Sequence, residues 1–365
     1  MTTKTDSGRL ASIDVLRGFD MFFLVGAGEV LRDFFAGFKS EALTPVLEQL
    51  DHHWGGFTAW DIIMPLFLFT AGLSIPFSFS KFMAQKAGTG RANALLWRKI
   101  IKRFCILFVL GWIAQGNLLA FDLSKFHIYC NTLHSIAFGY LITAIIVLNI
   151  KNIKGQLIAG GALVAVYWAC LTFGGDFSQD GNLAIRIDRA VLGRFDDGTN
   201  YTWLLSSLGF SATVISGYFA GYILKRGMEA VRTLKWLTVT GCALIGAGLL
   251  WTLQTPMIKH IWSPSMILFS SGICFLLLAL SFLLTDKLHL KGRWVTGLRI
   301  FGMNSIAAYM LHQVFHNFKG DARQLLYGLS QFTGDFYPAV VSLGGFALLF
   351  GILAFMYRHE IFIKV

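Results

Sequence analysis

Residues 48–80 read EQLDHHWGGFTAWDIIMPLFLFTAGLSIPFSFS, a polar loop with two adjacent histidines that runs directly into a long apolar segment. From about Thr58 onward, the segment is long enough at roughly 1.5 Å per residue to cross a hydrocarbon core of about 30 Å, so we predict a transmembrane helix. The carboxylate of Asp61 falls in its first turn. A charged group costs on the order of 2.5–3.5 kcal/mol at the centre of such a helix, so Asp61 is expected to face protein or a water-filled cavity. The alternative is an acid that complements the helix dipole.

The composition is that of a membrane protein. Of the 365 residues, 55% are hydrophobic and only 14% are charged, whereas soluble proteins carry about 25% charged residues. An ordinary soluble protein is therefore excluded, and we predict an all-α, polytopic integral membrane protein with about ten transmembrane helices. No linker, low-complexity tract or repeat divides the chain, so residues 1–365 are expected to form a single transmembrane domain. The predicted helices cover approximately residues 18–37, 58–80, 104–121, 133–150, 155–174, 203–224, 234–253, 264–285, 295–315 and 337–357.

The basic residues are distributed unevenly between alternate loops. Of the 31 Lys and Arg residues, 22 fall on the side of the N-terminus, which by the positive-inside rule makes both termini cytoplasmic. The loop that carries His52 and His53 is then extracytoplasmic. Topology and lipid head groups explain the formal net charge of +11, so no nucleic-acid partner is predicted. No cleavage pattern follows the first apolar segment, so a removed signal peptide is not expected.

The histidines and cysteines lack the spacing of a metal site. Adjacent His52 and His53 do not form a chelating pair, the H-E-x-x-H pattern is absent, and no CxxC motif occurs. We therefore predict neither a metal cofactor nor a disulfide framework.

Polar residues inside two other predicted helices are further candidates. Glu29 lies near mid-membrane in the first, either as a carboxyl kept neutral by burial or as part of a substrate or proton path. In the ninth, GMNSIAAYMLHQVFH (302–316) has Asn304 near the middle, with His312 and His316 toward the extracytoplasmic end on nearly one face. These histidines are expected to meet the loop histidines and the acid of the second helix in one site. The alternative is that they are interfacial residues.

Four separated motifs resemble one known family. The opening RLASIDVLRGFDMF (9–22) resembles the R-L-x-S-x-D-x-x-R-G start of the transmembrane acyltransferases typified by heparan-alpha-glucosaminide N-acetyltransferase. The segment WGGFTAWDIIMPLFLFTAG (54–72) is similar to that family's W-x-G-x-T-x-x-D-x-x-x-P-x-F-x-F. The segment GMNSIAAYMLHQVF (302–315) looks like its G-M-N-S-I-x-x-Y-x-x-H-x-V-F, and the terminal YRHEIFIKV (357–365) resembles its Y-R-x-x-I-F-x-K. The motifs occur in the family's order and cover the membrane domain.

The resemblance implies an enzyme that transfers an acetyl group from cytoplasmic acetyl-CoA, its co-substrate, to an amino sugar on the far side of the membrane. The family's catalytic histidine falls on His52, with His53 as the alternative. Asp61 matches the family's acid in the second helix, whereas Asn304 and His312 match its polar pair in the ninth. The resemblance also suggests a compact relative in a bacterial inner membrane that forms a homodimer.

Two departures from the family bear on the substrates. Gly28 and Glu29 stand where family members carry an asparagine, and His134 stands in a segment where the family often has an arginine. The residues that handle CoA, and the acceptor itself, are therefore left open. Glu29 and Trp54, which neighbours the loop histidines, are candidates for substrate binding.

The residues fit acetyl transfer independently of the resemblance. Because histidine as a residue type titrates near neutral pH, with a reference pKa of about 6.5, His52 is a residue that could deprotonate an amine, or could itself be acetylated and pass the group on. Asp61 would orient the histidine, while Asn304 or His312 would donate to the oxyanion or the sugar. O-acetylation of a cell-envelope glycan needs the same base and is an alternative. A proton-coupled sugar transporter that uses Glu29 is an alternative from another class.

Overall fold

The structure, a computed structural model, describes residues 10–79, 90–116, 118, 121–315 and 317–363. It is 76% helical and has no strand in these ranges. The predicted all-α class is therefore confirmed. The main helices are α1 (Ala11–Phe22), α2 (Gly28–Gly37), α3 (Thr44–Glu48), α4 (Ile63–Leu73), α5 (Gly90–Ala114), α6 (Thr132–Asn149), α7 (Ile153–Gly174), α8 (Leu183–Leu192), α9 (Ser207–Lys225), α10 (Ala230–Trp251), α11 (Pro264–Phe282), α12 (Arg293–Met303), α13 (Ser305–Met310), α14 (Phe318–Leu325) and α15 (Tyr337–Arg358).

Seven helices in the described part of the chain are long and apolar enough to cross a membrane. The predicted number of about ten is not confirmed. The first predicted segment is broken at Gly26, whose backbone is not helical, and the ninth is broken at Asn304. Helix α5 carries four basic residues between positions 98 and 103. Because of these breaks and charges, the three segments lack the continuous apolar length that a spanning helix needs. The seven are Ala59–Phe79, Thr132–Asn149, Ile153–Gly174, Ser207–Lys225, Ala230–Trp251, Pro264–Lys287 and Tyr327–Arg358.

Helices α4 and α9 pack backbone to backbone at the centre of the bundle. A Cβ atom on Gly72 of α4 would lie 1.9 Å from the carbonyl oxygen of Val214, and one on Gly217 of α9 would lie 2.0 Å from that of Phe69. These glycines allow the close approach that small residues permit between membrane helices. In the most apolar part of Ala59–Phe79, 78% of residues are buried, against 22% in α7 and α10. Helix α4 is therefore central, and α7 and α10 are peripheral.

Three connecting segments meet at the end of the bundle where α4 begins, which we call the His52 end. The N–H of Gly56 donates a hydrogen bond to the carbonyl oxygen of Met257 at 2.9 Å, and the N–H of Thr202 donates to that of His260 at 3.0 Å. The segment between α10 and α11 is thereby joined to the segments that precede α4 and α9. Residues distant in sequence are brought together here.

Candidate active site

His52 lies beside a buried carboxylate at the start of the spanning segment Ala59–Phe79. Its Nδ1 is 2.7 Å from Oδ1 of Asp61, which is almost completely buried. The other carboxylate oxygen accepts a hydrogen bond from the N–H of Thr58 at 2.9 Å, in a capping box at the start of the helix. This reciprocal cap fixes the acid on the first turn. Asp61 therefore orients the imidazole through Nδ1, and Nε2 is the ring nitrogen that does not contact the carboxylate.

A buried lysine completes this cluster. Nζ of Lys259 lies 3.4 Å from Oδ1 of Asp61, and 3.2 and 3.1 Å from Nδ1 and Nε2 of His52. Because these two distances are nearly equal, the amine is equidistant from Nδ1 and Nε2 and is not in line with the lone pair of either nitrogen. Because burial disfavours the ammonium, the pKa of Lys259 is lowered to about 8, although the Asp61 carboxylate opposes this shift. A cation thus lies beside the histidine at neutral pH.

Lys259 is a candidate functional residue that the sequence analysis did not identify. The local signal is weak: a Lys-His pair in a short segment between Pro256 and Pro264 that connects two apolar helices. A lysine in such a segment is usually solvated. Its contact with His52, which is 207 positions away, depends on how the three segments of the His52 end pack together.

Aromatic rings pack against His260, the residue that follows Lys259. The ring of Trp54 stacks on that of His260, with centroids 5.2 Å apart. The ring of Tyr201 also contacts His260, with a centroid distance of 4.3 Å. The indole N–H of Trp54 donates to the carbonyl oxygen of Phe177 at 3.1 Å, which fixes the ring. Burial, with a contribution from the Lys259 charge, lowers the pKa of His260 to about 4. His260 is therefore neutral at physiological pH and acts here as an aromatic surface.

A cavity of about 290 Å³, which we call the His52 cavity, opens beside His52 and Lys259. Its size is near the lower end of the range of about 300–1,000 Å³ for small-molecule sites. Met64 and Phe67 line it from α4, so it extends from the histidine along an apolar helix face. Cys130 also lines it, but burial raises the pKa of this thiol to about 12. The thiol is therefore protonated at neutral pH and is a poor nucleophile.

Glu29 and His312 line a second cavity, of about 450 Å³, which we call the Glu29 cavity. Nζ of Lys319 donates to Oε1 of Glu29 at 2.6 Å and to Oδ2 of Asp33 at 2.9 Å. The side chain of Trp60 lines both cavities. The residues predicted to converge around one point are thus divided between two neighbouring cavities.

The other predicted residues have different surroundings. Asn304 is fully buried; its amide N–H donates to the carbonyl oxygen of Ile361 at 3.0 Å, and its amide oxygen accepts from the N–H of Ile363 at 3.1 Å. Its side chain thus holds the C-terminal segment. His53 is exposed, and His316 lies outside the described residues.

His134 occupies the segment in which the family often has an arginine. Its Nδ1 accepts a hydrogen bond from the N–H of Cys130 at 3.3 Å, and its Nε2 lies 3.0 Å from the carbonyl oxygen of Phe108. Both ring nitrogens are thus bonded to the backbone of the protein, which makes His134 a structural residue of the core.

The described residues contain no group of three or more His, Cys, Asp and Glu side chains arranged to hold a metal ion. The sequence matches no family model, and a search of curated proteins finds no match.

Proposed function

We propose that this protein is a membrane acyltransferase that moves an acetyl group from cytoplasmic acetyl-CoA to an amino sugar at the extracytoplasmic side. The observation that supports it is the contact of His52 with the buried carboxylate of Asp61 and the buried amine of Lys259, beside a cavity. A base, an acid that orients it and a cation are the groups that acyl transfer to an amine requires. The four motifs that resemble transmembrane acyltransferases support the same reaction.

In direct transfer, the acceptor amine attacks the carbonyl carbon of the thioester while Nε2 of His52 accepts the amine proton. As the C–N bond forms, the ammonium of Lys259 stabilises the oxyanion of the tetrahedral intermediate. The C–S bond then breaks, and the thiolate takes the proton from the imidazolium and leaves as CoA. Asp61 stabilises the imidazolium between these two steps.

In the stepwise alternative, Nε2 of His52 itself attacks the acetyl group and CoA leaves first. The amine then attacks the acetyl carbon, the bond from that carbon to Nε2 breaks, and the released imidazole takes the amine proton. Asp61 and Lys259 have the same roles as in direct transfer. Rapid quenching distinguishes the two schemes, because only the stepwise one yields acetylated protein from acetyl-CoA in the absence of acceptor.

Two other functions compete with this proposal. A hydroxyl acceptor requires the same base, so O-acetylation of a cell-envelope glycan is the second enzymatic candidate. A proton-coupled sugar transporter is favoured by a different observation, the ion pairs of Lys319 with Glu29 and Asp33, since such groups couple proton and substrate movement in transporters. Transport predicts Glu29-dependent uptake into vesicles without consumption of acetyl-CoA, whereas an enzyme releases free CoA.

The deciding experiment measures thiol release from acetyl-CoA by purified protein in detergent, with glucosamine as the acceptor. We expect acceptor-dependent release by the wild type and its loss in His52→Ala. The matched control is His359→Ala, which changes an exposed histidine near the C-terminus and should leave the rate unchanged. His53→Ala tests the alternative loop histidine.

Each other result has a defined meaning. Full release by folded His52→Ala would refute the catalytic role of His52. Release with hydroxyl acceptors alone would favour O-acetylation. Failure of the wild type to bind CoA would favour the transporter.

A further inference from the structure

The Glu29 cavity is large enough for a ligand of its own and adjoins the His52 cavity. Its volume of about 450 Å³ lies within the range of about 300–1,000 Å³ found for small-molecule sites. It is lined by residues of α2, of α14 and of the first half of α15. Leu24 and Trp60 line both cavities. These two side chains therefore form the wall between them.

The charges in the Glu29 cavity suit an amine better than an anion. Lys319 is held by two carboxylates, Glu29 and Asp33, and Asp33 also accepts a hydrogen bond from the hydroxyl of Ser342. The charged lining residues Glu29, Arg32 and Lys319 sum to a formal charge of +1, and Asp33, which pairs with Lys319 without lining the cavity, brings the charge of the whole group to zero. The phosphates of CoA require an excess of positive charge, whereas a partly exposed carboxylate such as Glu29 can bind an ammonium group and sugar hydroxyls.

The ring of Trp60 packs directly against α2 at Gly28, a position that has no side chain. A Cβ atom on Gly28 would lie 1.9 Å from Cη2 of the Trp60 ring, so any larger residue would displace the indole. The face of a tryptophan ring attracts a cation and provides an apolar surface. The wall between the cavities is therefore itself suited to an amine-bearing ring.

We propose that the Glu29 cavity binds the amino sugar acceptor, with Glu29 as the carboxylate that receives its ammonium group. Trp60 is the partition that separates this acceptor from the acyl donor in the His52 cavity. The inference rests on the proposed acyl transfer and extends it by assigning donor and acceptor to separate cavities. At the edge of the Trp60 ring the ammonium gives one proton to Glu29, and the neutral amine that results attacks the acyl carbon while Nε2 of His52 accepts the second proton. Without an acceptor, the same ring limits the access of water to the thioester.

Acceptor binding is tested by calorimetric titration of glucosamine into the purified protein in the absence of acetyl-CoA. We expect the wild type to bind, and Glu29→Gln to weaken binding by about 10- to 100-fold, since a hydrogen bond to a charged group is lost. The matched control is Glu41→Gln, at an exposed position outside the cavity, which should bind as the wild type does. Absence of binding by the wild type, or equal affinities of Glu29→Gln and the wild type, would overturn the proposal.

The partition is tested by the ratio of acceptor-independent to acceptor-dependent thiol release. In acceptor-independent release, water attacks the acyl carbon and the C–S bond breaks, which yields acetate and CoA. We expect Trp60→Ala to raise this ratio severalfold, with Gly28→Ala acting in the same direction because it displaces the ring. Trp294→Ala, at an exposed position in α12, should leave the ratio unchanged. Trp60→Phe provides a conservative replacement if Trp60→Ala does not fold.

The two proposals fail in different ways. If the wild type releases no thiol from acetyl-CoA with any acceptor, acyl transfer is refuted, while the glucosamine titration still decides what the Glu29 cavity binds. If His52→Ala abolishes transfer but Trp60→Ala and Trp60→Phe keep the wild-type ratio, the partition is refuted and the acyltransferase stands.

Discussion

The same kind of pair, a carboxylate and a lysine, lies at each of the two neighbouring cavities, but in different surroundings. The side chains of Asp61 and Lys259 are 2% and 6% exposed, whereas those of Glu29 and Lys319 are 37% and 31% exposed. Burial lowers the pKa of Lys259 to about 8. For Lys319, burial acts in the same direction, but its hydrogen bonds to Glu29 and Asp33 outweigh it and raise the pKa.

This difference suits the buried pair to the proposed reaction and the more exposed pair to the proposed ligand binding. Two buried charges lose their hydration, so removing one partner is costly, whereas solvent screens an exposed pair and leaves it worth little. A lysine whose pKa is close to neutrality can also respond to the charge that develops on a reacting group. The buried pair is therefore expected to affect both catalysis and stability, and the exposed pair mainly ligand affinity.

The largest expected effect comes from Asp61→Asn. Asparagine preserves the shape of the side chain but cannot stabilise an imidazolium on His52, so kcat for thiol release should fall on the order of 10²–10⁴-fold. Steady-state kinetics with glucosamine measures this change. Asp335→Asn, at an exposed carboxylate, is the control. An unchanged kcat in Asp61→Asn would remove the acid from the mechanism.

Lys259→Met is expected to lower kcat by about 10²-fold, because one donor to the oxyanion is lost. It should also destabilise the protein by about 3 kcal/mol or less, since it leaves Asp61 buried with His52 as its remaining partner. Thermal or denaturant unfolding in detergent measures the stability. In the double variant with Asp61→Asn, the loss should be smaller than the sum of the single losses. Additive losses would mean that the two groups are not energetically coupled.

The pH dependence of kcat tests the state of Lys259. With a pKa of about 8, its amine is charged below that pH and loses its charge as the pH rises through it. We therefore expect kcat at saturating substrate to fall above about pH 8. Lys259→Arg keeps its charge, so any activity that it retains should not show this fall. Superimposable profiles of the two proteins would exclude Lys259 as the titrating group.

The lowered pKa of Lys259 makes stability change with pH in the direction opposite to kcat. The pKa of Lys259 is lower in the folded protein than its ordinary value of 10.5, so the unfolded chain binds more protons between about pH 8 and 10.5. The contribution of this residue to the free energy of unfolding therefore increases with pH across that window.

The smallest expected effect is that of Lys319→Met on stability. Because this ion pair is about a third exposed, its removal should change the free energy of unfolding by about 1 kcal/mol or less. The unfolding assay used for Lys259→Met measures it. A loss as large as that of Lys259→Met would break the distinction between the two pairs.

Different parts of the site could be predicted from sequence to different extents. The pair of His52 and Asp61 could be predicted because the two residues are only nine positions apart, on either side of a helix start. The cap formed there by Thr58 and Asp61 is a local structure. Glu29 and His312 were identified as ionisable residues in apolar segments. Their assignment to a separate cavity was not predicted, because it depends on the position of Trp60 against Gly28.

The sequence by itself determined that the chain is all-α and rich in helices suited to a membrane, because apolar length and composition are local properties of each segment. It also determined the junction of His52 and Asp61. Only the tertiary structure decided that Lys259 lies against this pair, that Asn304 binds the C-terminal segment, and that Trp60 lines both cavities. Such contacts join residues far apart in sequence and depend on how closely the helices pack. Burial, which lowers the pKa of Lys259, exists only once they have packed.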